Sequence, residues 1–222
     1  MRNIGNRLKA ICELAKGSKR IADVGCDHGK VLDYLIKNTD VEFVVASDIS
    51  APSVQKAQKL LENQKNVQFS VRVGDGFTTL SNNDMLDTII VAGMGGLEII
   101  NILSSDKIKN LKIPKLILQP QNNVVKLRSY LNKSNFKITK DFVVLDRGKF
   151  YIILLVQVGK QVLSEQQLKF GVECLNPDET TIKYLLSLKQ KYQKRLNLVK
   201  NQQKEELINE INQIDCVIRK DS

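Results

Sequence analysis

Short runs of almost wholly apolar residues alternate with segments of helical length through the first 160 residues of the chain. The runs 20–25, 42–48, 67–74, 87–93 and 115–120 have the apolar density of strands buried on both faces. Between them, the segment 51–63 shows the helical counterpart. Val54, Ala57, Leu60 and Leu61 recur there at a spacing that places them on one side of a helix. Buried strands joined by helices predict a parallel sheet covered on both faces. The pattern changes after Pro120. Two strand-like runs, 136–145 and 150–158, are separated only by Asp146-Arg147-Gly148-Lys149. A glycine in so short a connection predicts an antiparallel hairpin.

Beyond Gly159 the strand pattern stops. The segment 163–175 reads as one helix, and Asn176-Pro177-Asp178 ends it and opens the next. Ile182, Leu185, Tyr192, Leu196 and Val199 then follow helical spacing, and Leu207, Ile211, Ile214 and Ile218 repeat it in a shifted phase. The shift near 201–204 predicts two helices folded back as a coiled-coil hairpin. The expected organisation is one domain over 1–159 and a small helical domain over 160–222, which a chain of 222 residues can accommodate.

Composition sharpens this picture. No apolar run approaches the ~18 residues of a membrane span. The opening Met1-Arg2-Asn3-Ile4-Gly5-Asn6-Arg7 is not followed by the hydrophobic stretch of a secretory signal, so a cytoplasmic location is expected. Cys12, Cys26, Cys174 and Cys216 form no CxxC pair, which argues against a metal site and suits a reducing compartment. A net charge of +10 points to a polyanionic partner, although lysine outnumbers arginine 26 to 8 and part of the excess is compositional. The basic residues gather at two places. One is the N-terminal segment with Arg2, Arg7, Lys9, Lys16, Lys19 and Arg20; the other is the helix with Lys191, Lys194 and Arg195. Together with Lys30 these are the candidate RNA contacts, on a chain expected to be monomeric.

The candidate chemistry sits where the strands end. The first closes with Asp23-Val24-Gly25-Cys26-Asp27-His28-Gly29, a D-x-G-x-x-x-G turn rather than the G-x-G-x-x-G of dinucleotide enzymes. A pyrophosphate seeks bare amide donors. Asp23 and Asp27 instead favour a ligand with an ammonium and a cationic sulfur, such as S-adenosylmethionine. The second strand closes with Ser47-Asp48 before Ile49, and the Asp48 carboxylate can accept both hydroxyls of a ribose. The third closes with Gly74-Asp75-Gly76-Phe77, where Asp75 can accept an adenine amine and Phe77 packs either on its ring or in the core. Open α/β sheets bind ligands at these strand ends. Gly25, Cys26, Gly29, Gly74, Gly76 and Gly93 complete the candidate cofactor cradle.

The fourth strand runs into Gly93-Met94-Gly95-Gly96. It lacks the Asp/Asn-Pro-Pro-aromatic of enzymes that methylate exocyclic amines, and its glycines predict an open shelf for a planar base. The fifth ends Gln119-Pro120-Gln121-Asn122-Asn123, whose amides either read a base edge or cap the next helix. Asp27, His28, Met94 and Gln119 are the candidate catalytic residues. His28, the single histidine, reads as a proton acceptor or, more simply, as a loop support. The layout as a whole is that of an α/β, Rossmann-like, seven-stranded class I methyltransferase sheet with an antiparallel C-terminal β-hairpin.

The segments 23–29, Asp48-Ile49-Ser50, Gly74-Asp75-Gly76, Gly93-Met94-Gly95-Gly96, Leu118-Gln119-Pro120 and Gly148-Lys149-Phe150-Tyr151 together resemble the bacterial tRNA adenine-22 N1-methyltransferases, the TrmK family. With the amphipathic tail, the likeness covers almost the whole chain. Two departures stand out: Asp27-His28-Gly29-Lys30 where the family often shows Asp-His-Ala-Tyr, and Gln119-Pro120-Gln121 in place of Gln-Pro-Asn. The resemblance implies methyl transfer from S-adenosylmethionine to N1 of an adenine in the D-arm region of tRNA. A silent binding module on the same fold and a methyltransferase of another substrate stay open at this point.

Overall fold

The computed structural model describes residues 4–64, 66–105, 115–200 and 202–219. Strands β1 (Arg20–Val24), β2 (Phe43–Asp48), β3 (Gln68–Val73), β4 (Thr88–Met94), β5 (Lys115–Pro120), β6 (Phe136–Asp146) and β7 (Lys149–Val158) form one sheet in the order β3-β2-β1-β4-β5-β7-β6. The first five are parallel, and β7 lies antiparallel between β5 and β6. Asp146 pairs with Lys149. The two residues between them, Arg147 and Gly148, both have positive φ (50° and 76°), the geometry that matches the twist of a two-residue hairpin.

Helices α1 (Asn6–Ala15), α2 (Lys30–Asn38), α3 (Ala51–Leu61), α4 (Gly96–Ser104) and α5 (Val124–Lys133) cover the sheet. Because alternate strand residues point to opposite faces, β4 feeds two cores. Ile90 joins Ile11, Leu32, Leu35 and Leu61 under α1, α2 and α3, whereas Ile89 and Val91 join Ile99, Leu103, Leu127 and Leu131 under α4 and α5.

The segment expected as one helix over 163–175 is broken. Helix α6 (Glu165–Phe170) carries a capping box between Ser164 and Gln167, and a 3₁₀ turn (Val172–Leu175) follows Gly171. The reason lies in a buried ion pair. Arg128 donates from Nε and Nη2 to Asp141 at 2.7 and 2.9 Å, and from Nη1 to the carbonyls of Leu168 (3.3 Å) and Lys169 (2.9 Å). Gly171 passes directly over the pair at φ 101°, where an added Cβ would stand 3.0 Å from the Asp141 carboxylate. The helix stops so that the backbone can close over these charges.

The expected hairpin is present within one chain. Helix α7 (Glu179–Leu196) begins at Asp178, whose side chain accepts from Thr181 N–H, and α8 (Gln202–Arg219) returns along it. Leu185 is buried with Ile214 and Val217, and Lys189 bonds Asp215 at 2.5 Å. The hairpin is docked rather than free. Tyr184 meets Phe150 of β7 edge-on with ring centres 5.7 Å apart.

Candidate active site

A cleft of about 770 Å³ opens at the carboxyl ends of β1 and β4, where the strand order reverses direction. The β1 turn shapes its floor. Gly25 and Cys26 both donate N–H bonds to the Ser47 carbonyl (2.8 and 3.0 Å). Gly25 has φ 76°, a left-handed backbone that strains any larger residue, and a Cβ there would push aside the end of the Met94 side chain. The N–H of Asp27 reaches Asp48 Oδ2 (3.0 Å) while the N–H of Ser50 reaches Oδ1 (2.9 Å), which fixes the carboxylate between two loops. Asp48, Ile49, Gly74, Asp75, Gly76, Gly93 and Met94 line the cleft with Asp23, Cys26, Asp27 and His28.

The acids here are in unlike states. Asp27 is largely exposed, and its Oδ2 lies 2.7 Å from His28 Nδ1, off the line of a hydrogen bond. Asp23 is only 3 % exposed, with no hydrogen bond to its carboxylate among the described residues. Burial, and secondly the charge of Asp48, push its pKa up to about 7. Burial also raises the Cys26 thiol, which keeps it neutral and unreactive.

The opposite wall has a different origin. The N-terminal segment contributes Ile4, Gly5, Arg7 and Leu8, and the β6–β7 turn contributes Asp146 and Arg147. The two are tied together: Asn6 N–H donates to Asp146 Oδ1 (3.0 Å) and its side-chain amide to the Leu145 carbonyl (3.1 Å). Glu98 of α4 also lines the cleft and accepts from Gly95 N–H at 3.3 Å. Of these, only Arg7 is foreseen by the sequence reading.

Several expected site residues serve the scaffold instead. Phe77 is 1 % exposed and packs with Ile99 and Ile102 beneath α4, away from the cleft lining. Gly29 caps α2 at φ 68° and presses on Ala57, where its missing Cβ lets α2 and α3 approach. Gln119 is fully buried: Oε1 accepts from Arg7 Nη1 (2.8 Å) and Nε2 donates to the Pro120 carbonyl (3.0 Å), so its amide cannot read a base. The glycine shelf is narrower than expected. A Cβ on Gly96 would lie 2.5 Å from the Asn122 carbonyl, and Gly95 abuts the Asn122 side chain; both serve the strand-to-helix turn. Gly93 alone stays on the wall, in a β4 bulge at φ 83°, with Gln121 Nε2 on its carbonyl at 2.6 Å.

The expected RNA contacts scatter. Arg7 and Lys30 line the cleft. Lys16 pairs with Glu13, Lys19 with Glu42, and Arg20 stacks on Phe43, all near the start of β1 and thus at the far end of the sheet. Lys9, Lys191, Lys194 and Arg195 are exposed on their helices. Arg2 lies outside the described residues.

A five-strand parallel sheet extended by an inserted antiparallel strand, with an acid-lined cleft at its switch point, defines the Rossmann-like methyltransferases. Within that class, the family model for TrmK, tRNA (adenine(22)-N(1))-methyltransferase, matches residues 21–222, and the chain belongs to this family. A relative in Mycoplasma pneumoniae, provisionally named a tRNA methyltransferase, is 33 % identical over 190 residues, covering 83 % of this chain and 87 % of that one. The tRNA (adenine(22)-N(1))-methyltransferase of Bacillus subtilis is 29 % identical over 157 residues, covering 70 % of this chain and 66 % of its own. A Streptococcus pneumoniae protein provisionally named a tRNA (m1A22) methyltransferase, solved with S-adenosyl-L-methionine, superposes with a TM-score of 0.88 at 26 % identity, over 97 % of this chain and 99 % of its own. Among the described residues no helix is long and apolar enough to cross a membrane, and no cluster of His, Cys, Asp or Glu is arranged to hold a metal.

Proposed function

We propose that this chain, a cytoplasmic monomer, moves the methyl group of S-adenosylmethionine to N1 of adenine 22 of a tRNA. The observation that carries the reading is Asp23, a carboxylate buried at the cleft floor without a cation. A buried charge needs a partner, and a ligand bearing an ammonium and a sulfonium brings one. The rest of the rim fits the same ligand. Asp48, fixed by two backbone amides, is set to accept ribose hydroxyls; Asp75 faces the cleft where an adenine amine would lie; Ile49, 72 % exposed, offers an apolar surface to the adenine.

When bound, the cofactor supplies a methyl carbon made electrophilic by its cationic sulfur. Neutral adenine N1 already carries a lone pair, so no strong base is required, and the chain's work is to align N1 with that carbon in a water-poor cleft. The N1–carbon bond forms as the sulfur–carbon bond breaks, and the positive charge passes to the adenine ring until a proton leaves its exocyclic nitrogen. Asp27, exposed into the cleft, stabilises that charge, and His28 Nδ1 stands beside it at 2.7 Å. The base must be turned out of its stack, at a cost of a few kcal/mol that cleft contacts offset.

The second domain, 160–222, docks the tRNA. In support, Lys191, Lys194 and Arg195 face solvent along one exposed segment of α7 with no ion pair among the described residues. The test is methylation of tRNA transcripts by the purified protein, followed by nucleoside analysis. The expected product is N1-methyladenosine from a tRNA with adenine 22 and none from the same tRNA with guanine there. Bound cofactor without turnover on any tRNA would instead show a silent binding module.

A further inference from the structure

The cleft is divided by charge. Asp23, Asp27, Asp48 and Asp75, with Lys30 the one lysine among them, occupy the side beneath β1, β2 and β3, whereas the wall built from the N-terminal segment and the β6–β7 turn presents Arg7 and Arg147. The one acid on that wall, Asp146, is already engaged by the Asn6 N–H and covered by Gly5. Arg7 is held firmly. Gln119 accepts from its Nη1 at 2.8 Å, and the Tyr151 ring lies under the guanidinium at 5.2 Å from its centroid. A guanidinium has five N–H donors, so most of the Arg7 fork is left for a ligand. Arg147 is exposed at the tip of a two-residue turn that its left-handed backbone keeps short.

We propose that Arg7 and Arg147 form a two-pronged grip on the RNA phosphodiester at the nucleotide whose base enters the cleft, and that Gln119 is a positioning residue that aims Arg7. This rests on the tRNA methyl-transfer reading. A planar fork matches a phosphate bidentately. The phosphate is favoured over the base as its target for an electrostatic reason. The acceptor ring gains positive charge during transfer, which a bare guanidinium beside it would oppose, whereas one neutralised by phosphate does not. The buried Gln119 amide then has its purpose: among the described residues its side chain bonds outside its own strand only to Arg7.

The test uses the full chain and three substitutions: Arg7→Met, which keeps the apolar stem; Arg147→Asn, which tolerates the left-handed turn; and Gln119→Leu. Arg7→Met and Arg147→Asn should each raise the KM for tRNA about tenfold with a smaller change in kcat. Together they should reduce the salt dependence of tRNA affinity by about 0.7–0.9 in slope, one phosphate's worth shared between them, while the calorimetric affinity of each for S-adenosylmethionine stays within about twofold. Gln119→Leu should raise KM in the parent chain but add little in the Arg7→Met background. An unchanged KM and slope in both arginine variants of an active enzyme would overturn the grip alone. Equal effects of Gln119→Leu in both backgrounds would remove its positioning role. A parent chain that binds the cofactor and methylates no tRNA would overturn the functional reading beneath both. Arg147→Asn, at an exposed turn, keeps the grip testable should Arg7→Met lose cofactor affinity through misfolding.

Discussion

Two carboxylates of this chain are buried almost equally, and they live in opposite circumstances. Asp141, 4 % exposed, sits at the seam between the sheet and α6, held by both arms of Arg128, and Val172 N–H approaches it at 3.4 Å. Asp23, 3 % exposed, sits at the floor of the cleft with no such company. Burying a carboxylate is costly unless it is paired. At the seam the chain supplies the pair itself, so the charge is structural. At the floor the chain supplies no counter-charge, so burial favours the protonated acid, and the charge appears only toward pH 7. Asp84, the third buried acid among the described residues, follows the seam: Arg72 reaches both its oxygens at 2.7 and 2.6 Å.

The sharpest way to break this comparison is to make the seam resemble the floor. Asp141→Ala leaves Arg128 charged and buried, and should cost about 3–5 kcal/mol of stability by denaturant unfolding. Replacing both partners, Arg128→Met with Asp141→Leu, should restore much of that loss. Next in size is the reverse operation. Asp23→Asn removes a charge that the folded, ligand-free protein holds at a cost, so its melting temperature should rise while cofactor affinity falls at least tenfold. A variant that loses stability and keeps its affinity would show that Asp23 is structural.

The pH dependence follows from the same group. An unfolded aspartate gives up its proton near pH 3.8, whereas Asp23 keeps its own until about pH 7. The folded state thus binds more protons between these values, and its stability falls as pH rises from about 4 to about 7, then levels off. The stability gap between Asp23→Asn and the parent should widen over that window. Cofactor binding below pH 7 should release a proton, read by calorimetry in two buffers of different ionisation enthalpy, and should tighten as pH approaches 7. The smallest effect expected is on the hairpin. Lys191→Gln with Lys194→Gln should lower the salt slope of tRNA binding by at most about 2, with stability unchanged.

The acidic side of the cleft was legible as a place in the fold because each strand there ends in an acid beside glycine or a polar residue, and the cleft lies at those strand ends. The β6–β7 hairpin was legible from two apolar runs separated by four residues with Gly148 among them. The arginine wall was not, since nothing in the spacing of Asn6 and Asp146 announces that they meet across 140 positions. Gln119 was misplaced, and Phe77 stayed open between the adenine ring and the core, for a related reason. Local order puts them beside the cleft, but the side-chain direction that sends Phe77 beneath α4 and Gln119 toward Arg7 is a property of packing. The break in 163–175 had a signal in Gly171, a glycine within a helical pattern. Its cause, the Arg128–Asp141 pair, is tertiary.

The stitching of Asn6 to the hairpin turn has a mechanical side. Ile4 and Gly5 enter the cleft lining directly before this stitch, so the lip beside Arg7 and Arg147 is built from residues 140 positions apart and keeps its shape only while the two stay joined.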